Sequence, residues 1–170
     1  MSKYFKASLD TVSKIITGLV SPIFTLFPII LFFALRNQAD KSYLPYFVLL
    51  CLMLWVAFAY CILFWVKGYS LAEGQLVIQR QWKNKTYALS EIKSANYITK
   101  KDMGFVIRVM GNGGIFGYTG YFTSKQHGRM QWFVTNQEKL FVVELTNGKF
   151  ICISPDDTDG FLKALSKMLK

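Results

Sequence analysis

Residues 15–35, IITGLVSPIFTLFPIILFFAL, and residues 43–66, YLPYFVLLCLMLWVAFAYCILFWV, contain no Asp, Glu, Lys, Arg or His. Each exceeds the roughly 20 residues an α-helix needs to cross a hydrocarbon core of about 30 Å. A soluble helix of such length presents a polar face once per turn, and neither run has one. Only Arg36–Ser42 lies between them, which forces an antiparallel pair. The sequence predicts a transmembrane helical hairpin over residues 15–66, with spans at 15–35 and 43–66. A lead-in of residues 1–14 precedes it, and residues 67–170 form one small domain outside the bilayer.

That domain carries 15 Lys/Arg against 8 Asp/Glu. A basic domain tethered to a membrane is drawn to anionic headgroups, by up to about 1 kcal/mol per cation near the surface. Solubility and the positive-inside bias account for the same excess. Lys3, Lys6 and Lys14 precede the first span, and Lys67, Arg80, Lys83 and Lys85 follow the second. The connecting loop has Arg36 and Lys41, offset by Asp40. Positive flanks mark the cytoplasmic side, so both termini are expected in the cytoplasm. A cleaved signal peptide fits poorly, because the first run outlasts an h-region and Ala34-Leu35-Arg36 is a poor cleavage site. The three cysteines make no disulfide framework. Cys51 and Cys61 lie about 15 Å apart along one helix, and Cys152 reads as a small core residue.

Before the first span, Phe5, Leu9 and Val12 fall at helical spacing, with Lys6, Asp10 and Lys14 on another face, an amphipathic lead-in. Pro22 and Pro28 should bend the first span, whereas Pro45 falls in the first turn of the second. Tyr43, Tyr46, Tyr60 and Trp65 flank the second span as interfacial aromatics do.

From Lys67 onward the pattern is β. Strands are expected at Tyr69–Leu71, Gln75–Trp82, Glu91–Ile98, Gly104–Met110, Trp132–Thr135, Leu140–Leu145 and Lys149–Ile153. Leu76, Ile78 and Trp82 share one face, as do Phe105, Ile107 and Val109. Glu73-Gly74, Lys83-Asn84 and Asn147-Gly148 mark turns. Ser154-Pro155-Asp156-Asp157 reads as an N-cap, with proline at the first helical position. The helix beyond it carries Phe161, Leu162, Leu165, Met168 and Leu169 on one stripe, with Lys163, Lys167 and Lys170 outside it.

About seven antiparallel strands capped by one C-terminal helix make a bent barrel with a plugged corner. Three features carry a resemblance: the stretch Gly111–Phe122, then Val142-Val143, then Ile151–Asp156 entering the last helix through Ser154-Pro155. In these the chain resembles the bacterial pleckstrin-homology-like (PH-like) family, in its membrane-anchored form with two N-terminal transmembrane helices. The resemblance covers residues 69–169 and implies a non-catalytic binding or scaffolding module without cofactors. The phosphoinositide signature of eukaryotic relatives is absent, since Glu73 and Gly74 occupy that turn.

Two constellations stand out. Arg80, Trp82, Lys83 and Lys85 surround the second hairpin of the domain, whose tip should turn back to the bilayer and touch lipid. An ordinary solvated turn is the plainer alternative. The stretch Gly111–Phe122 combines five glycines with Phe116, Tyr118, Tyr121 and Phe122. It reads either as a bent strand covering the barrel or as a loop docking a partner. It is no dinucleotide fingerprint, because Phe116 stands where the last glycine belongs.

Catalysis has no support. His127 lacks a nearby acid, Ser124 before it makes no triad, and no metal-ligand spacing occurs. Asp156, Asp157 and Asp159 are explained by helix capping. No nucleic-acid motif accompanies the charge. The expected function is a non-enzymatic module on the cytoplasmic (inner) membrane that recognises or scaffolds a membrane-protein partner or lipid. Self-association is left open. A small accessory subunit of a transporter or transferase complex, contacting it through the spans, is the alternative.

Overall fold

The computed structural model describes residues 3–37 and 42–169. Asp40 and Lys41 of the connecting loop, and the terminal Lys170, lie outside the described residues.

Two long helices form where the apolar runs lie: α1 (Thr11–Leu35) and α2 (Leu44–Leu63). Asp10 opens α1, its carboxylate accepting the Ser13 N–H at 2.7 Å. Pro22 and Pro28 sit inside α1, and Pro45 is in the first turn of α2. The helices meet through a stacked pair, Phe24 and Phe58, with centroids 5.1 Å apart. The Tyr43 hydroxyl donates to the Leu35 carbonyl at 2.6 Å, tying the two helices at their loop ends. On the two helices only Ser13 and Phe58 are buried; the rest are exposed or partly exposed, Leu19 and Val56 among the most exposed. These are two helices long and apolar enough to cross a membrane.

The β part contains ten strands among the described residues: β1 (Lys3–Lys6), β2 (Val66–Ala72), β3 (Gln75–Arg80), β4 (Lys85–Ala88), β5 (Ile92–Ile98), β6 (Val106–Gly114), β7 (Gly117–Ser124), β8 (Gly128–Val134), β9 (Leu140–Leu145) and β10 (Phe150–Ile153). They build a four-stranded sheet, β1-β2-β3-β4, and a six-stranded one, β5-β9-β10-β8-β7-β6. All pairings are antiparallel except β8 with β10. A short α3 (Lys100–Met103) links β5 to β6, the two outermost strands of the larger sheet, and α4 (Thr158–Met168) closes the fold. The expected architecture, an apolar helical pair followed by a mainly-β domain with a C-terminal helix, is present. The strands are more numerous than expected, and one pair is parallel.

Residues 3–6, read above as part of an amphipathic lead-in, form β1 instead. The strand pairs with β2 from Lys3↔Leu71 to Lys6↔Gly68. Phe5 alone turns inward, edge-on to Phe161 at 5.2 Å, and burial of that ring settles the local competition between helix and strand. Gly68 makes the close pairing possible, because a Cβ there would stand 2.6 Å from the Phe5 carbonyl oxygen. The helical hairpin is thus inserted between two neighbouring antiparallel strands.

The main core lies between the sheets. Tyr69, Leu71, Leu76 and Ile78 face Phe133, Phe141, Val143 and Ile153, and Phe161 and Leu165 of α4 fill the remaining gap. A second core on the far face of the larger sheet gathers Met103, Tyr118, Phe122, Trp132, Leu140 and Cys152. Burial in that core raises the pKa of the Cys152 thiol, which suits a packing role.

Three local readings are corrected. Asp157, not Ser154, caps α4, accepting the Gly160 N–H at 2.9 Å. Ser154 is instead a fully buried hub, whose Oγ accepts the Thr135 N–H at 2.8 Å and whose amide donates to the Tyr69 hydroxyl at 2.9 Å. Asp156 binds Ser8 through both carboxylate oxygens, at 3.0 Å to the amide and 2.6 Å to the hydroxyl. Finally, Phe105, Ile107 and Val109, expected to share one face, are all exposed at the β6 edge of the larger sheet. The α4 stripe is also narrower than expected: Phe161 and Leu165 are buried, while Leu162, Met168 and Leu169 are exposed.

Candidate functional site

The end of α2 and the strands that meet it form one junction. A helix C-terminus leaves carbonyls without intrahelical partners. Here the tail of β3 supplies them: the Trp82 amide donates to Leu63 at 3.2 Å and the Gln81 amide to Trp65 at 3.1 Å. This fixes the second hairpin of the domain against the helix end. The Trp82 ring stands edge-on to Phe64 at 6.3 Å and is 68% exposed. It does not continue the Leu76 and Ile78 face into the core, since β3 ends at Arg80.

Arg80 lies inside this junction. Its guanidinium is 5.0 Å from the Phe64 ring centre and 5.9 Å from that of Phe133, and its Nε donates to the Lys83 carbonyl. No carboxylate pairs with it among the described residues, whose one salt bridge joins Lys93 to Glu144. Desolvation draws the Arg80 pKa downward. Beside it a cleft of about 140 Å³ opens between α2 and the larger sheet, with Tyr60 and Phe64 on one wall and Tyr121 and Gln131 on the other. Lys83 and Lys85 are exposed, the latter with its Nζ 5.6 Å from the Tyr87 ring centre. The structure brings Arg80 and Trp82 together at the helix end, with Lys83 and Lys85 on the solvent side of the same hairpin.

The glycine-aromatic stretch is the β6–β7 hairpin, turning at Ile115-Phe116. Asn112 closes the turn, its Oδ1 accepting the Ile115 N–H at 3.2 Å and its Nδ2 donating to the Ile115 carbonyl. Phe116 has φ +56°, and its amide donates to the Thr17 hydroxyl at 2.9 Å. Its ring packs against Trp65 at 5.2 Å and Phe58 at 6.1 Å. The tip therefore rests on both long helices. The four aromatics go separate ways. Tyr118 and Phe122 are buried in the second core, Phe122 stacked on Trp132 at 4.5 Å. Tyr121 is half-buried on the opposite face, with the Arg129 guanidinium 4.5 Å over its ring.

His127 is half-buried against Phe150, at 5.8 Å, and its amide donates to Ser124 Oγ. Among the described residues no three of His, Cys, Asp and Glu gather into a metal-binding group. The sequence reading missed the N-terminal contribution to this junction. Asp10 caps α1, accepts the Gln137 N–H at 3.2 Å and lies 3.5 Å from the Tyr118 hydroxyl. Desolvation raises the Tyr118 pKa.

A mainly-β domain closed by a C-terminal helix is thus docked on an apolar helical pair. The chain belongs to the bacterial PH domain family, which matches residues 67–169. That family is generally non-catalytic, and its class is that of protein- or lipid-interaction modules. No curated protein and no solved structure matches the chain.

Proposed function

We propose that this protein is a membrane-seated recognition module, holding its PH domain flat on the cytoplasmic surface to bind a protein partner or lipid. One observation carries the reading: Arg80 and Trp82, a cation and an exposed indole, are hydrogen-bonded and packed onto the very end of a helix apolar enough to span a bilayer. Aromatic rings and cations at that height are what interfacial contact uses. Pairing of β1 with β2 puts the chain on both sides of the helical pair into one sheet, which supports termini on a common side. Charge flanking assigns that side to the cytoplasm. The partner-facing surface in this reading is the accessible part of the hairpin around Tyr121 and Arg129.

The test uses the full chain, because cutting at Lys67 removes β1 from its sheet. A variant retaining only Trp82 (Trp55→Phe, Trp65→Phe, Trp132→Phe) is reconstituted in vesicles containing phosphatidylcholines brominated at graded depths. Strongest quenching from bromines nearest the headgroup supports the seating. An indole quenched at no depth removes the lipid contact.

A further inference from the structure

The far face of the six-stranded sheet holds a trough that neither the junction nor the main core uses. It is an open cleft of about 500 Å³, within the range of small-molecule sites. Met103, Tyr118, Phe122 and Trp132 form its walls, and Lys100 and Arg108 stand at its edge. It arises because α3 crosses from β5 to β6, opposite edges of the sheet, and leaves a gap over the strands between.

Three features make this more than an accidental crevice. Arg108 pairs with Phe122 across β6 and β7, so both project to the same face. Its guanidinium lies directly on Gly113, where a Cβ would stand 2.4 Å from Nη1; the absence of a side chain at 113 is what lets the cation lie there. Arg108 and Lys100 have no carboxylate partner among the described residues. Trp132, also in the lining, is 3% exposed, and its buried indole Nε1 has no hydrogen-bond partner among the described residues. A buried donor without a partner is costly. The trough therefore combines an apolar aromatic lining with positive charge at its edge, which complements an apolar body bearing an anion.

Its position narrows the class. Gly113 and Tyr118 line the end nearest α1, where Tyr118 lies 3.5 Å from Asp10 and Gly114 abuts Ile16. With the helices in a bilayer, this end opens at the surface, where single-chain amphiphiles partition. The geometry points to a binding site for one long-chain fatty acid, its acyl chain along Phe122 and Trp132 and its carboxylate between Arg108 and Lys100. The volume suits one chain with a small head and is too small for a two-chain phospholipid. This inference rests on the membrane seating proposed above.

The experiment reconstitutes the full chain, with Trp132 as its only tryptophan, in phosphatidylcholine nanodiscs and titrates 9,10-dibromostearic acid. Saturable quenching at a small fraction of the lipid concentration is expected. Arg108→Gln, a change at an exposed edge-strand position, should weaken the half-saturation by about tenfold or more, the loss of a charge-assisted contact. Lys163→Gln on α4 should change nothing. Oleate should compete, while oleyl alcohol and inorganic phosphate should not. Absent saturation, equal affinity in Arg108→Gln, competition by the alcohol, or competition by phosphate alone each overturns the site. A companion variant with only Trp55, probed by brominated phosphatidylcholine, reports the seating of α2 separately. Quenching there without quenching of Trp132 leaves the seating intact and ends the fatty-acid site.

Discussion

The amide of Phe116 donates to the hydroxyl of Thr17 at 2.9 Å, joining the tip of the β6–β7 hairpin to the first helix across 99 residues. The adjoining ring contacts with Trp65 and Phe58 reach the second helix. Besides the chain links into α1 and out of α2 and the Trp82–Leu63 bond, the domain is therefore held to the helices by this tip. Such bracing suppresses the swivelling that a single junction would allow.

If the tip braces the domain, Phe116 and Trp65 are energetically coupled. A double-mutant cycle with Phe116→Ala and Trp65→Ala, measured by denaturant unfolding in detergent, should give about 0.5–1.5 kcal/mol of interaction. Strict additivity would mean that the contact carries no energy.

Leu165 is 1% exposed beneath α4, whereas Lys163 on the same helix is solvated. Leu165→Ala should cost roughly 2–5 kcal/mol. Lys163→Ala should stay within about 0.5 kcal/mol. Similar small losses at both would show that α4 does not plug the barrel.

Gly117 has φ +110°, and a Cβ would lie 2.8 Å from the Val134 carbonyl oxygen. Both strain and backbone clash oppose any side chain there. Gly117→Val should lower the melting temperature clearly, and Gly148→Ala, with φ +75° but open space, should lower it less. Reversal of that order would contradict the hairpin geometry.

Tyr69 is buried, donates to the Phe133 carbonyl at 2.6 Å, and has its pKa raised, chiefly by desolvation. Burial also pushes Tyr87 up to about 12. Above the unfolded value near 10, the unfolded chain sheds protons that the folded chain retains, so stability falls as pH rises. It is fully present below about pH 10 and declines by up to about 1.4 kcal/mol per pH unit for each such group. Tyr69→Phe should destabilise at neutral pH by leaving the Phe133 and Ser154 groups unpaired, and should flatten the alkaline slope by one group. An unchanged slope between pH 10 and 11.5, followed by thermal melts, would contradict the burial.

The two long helices are legible because uninterrupted apolarity over twenty residues admits few folds. The strand around Leu76 and Ile78 is legible by alternation, and those around Val143 and Ile153 as short apolar runs flanking Asn147-Gly148; each of these side chains is buried. Phe105, Ile107 and Val109 alternate equally well yet face solvent, since alternation names a face without naming what covers it. The four-residue β1 is too short for a periodic signal and depends on pairing with a strand more than sixty residues away. For the same reason the cluster at Arg80 and Trp82 was visible as composition, but its attachment to Leu63 and Phe64 was not. The fate of the glycine-aromatic stretch turned on tertiary contacts of the same kind, with Tyr118 and Phe122 buried and Tyr121 left accessible.

The insertion of the helical pair between β1 and β2 also sets an order of events during synthesis. β1 is made before the helices, yet its partner is made only after both have emerged. Until then Phe5 has neither β2 beside it nor Phe161 against it. Closure of the first sheet can follow only when Lys3–Lys6 and Val66–Ala72 arrive on one side of the helical pair. A molecule in which those two segments are kept apart cannot complete the first sheet. Four residues before the helical pair thus decide whether the first sheet is complete, although the strand that receives them is built only after the pair.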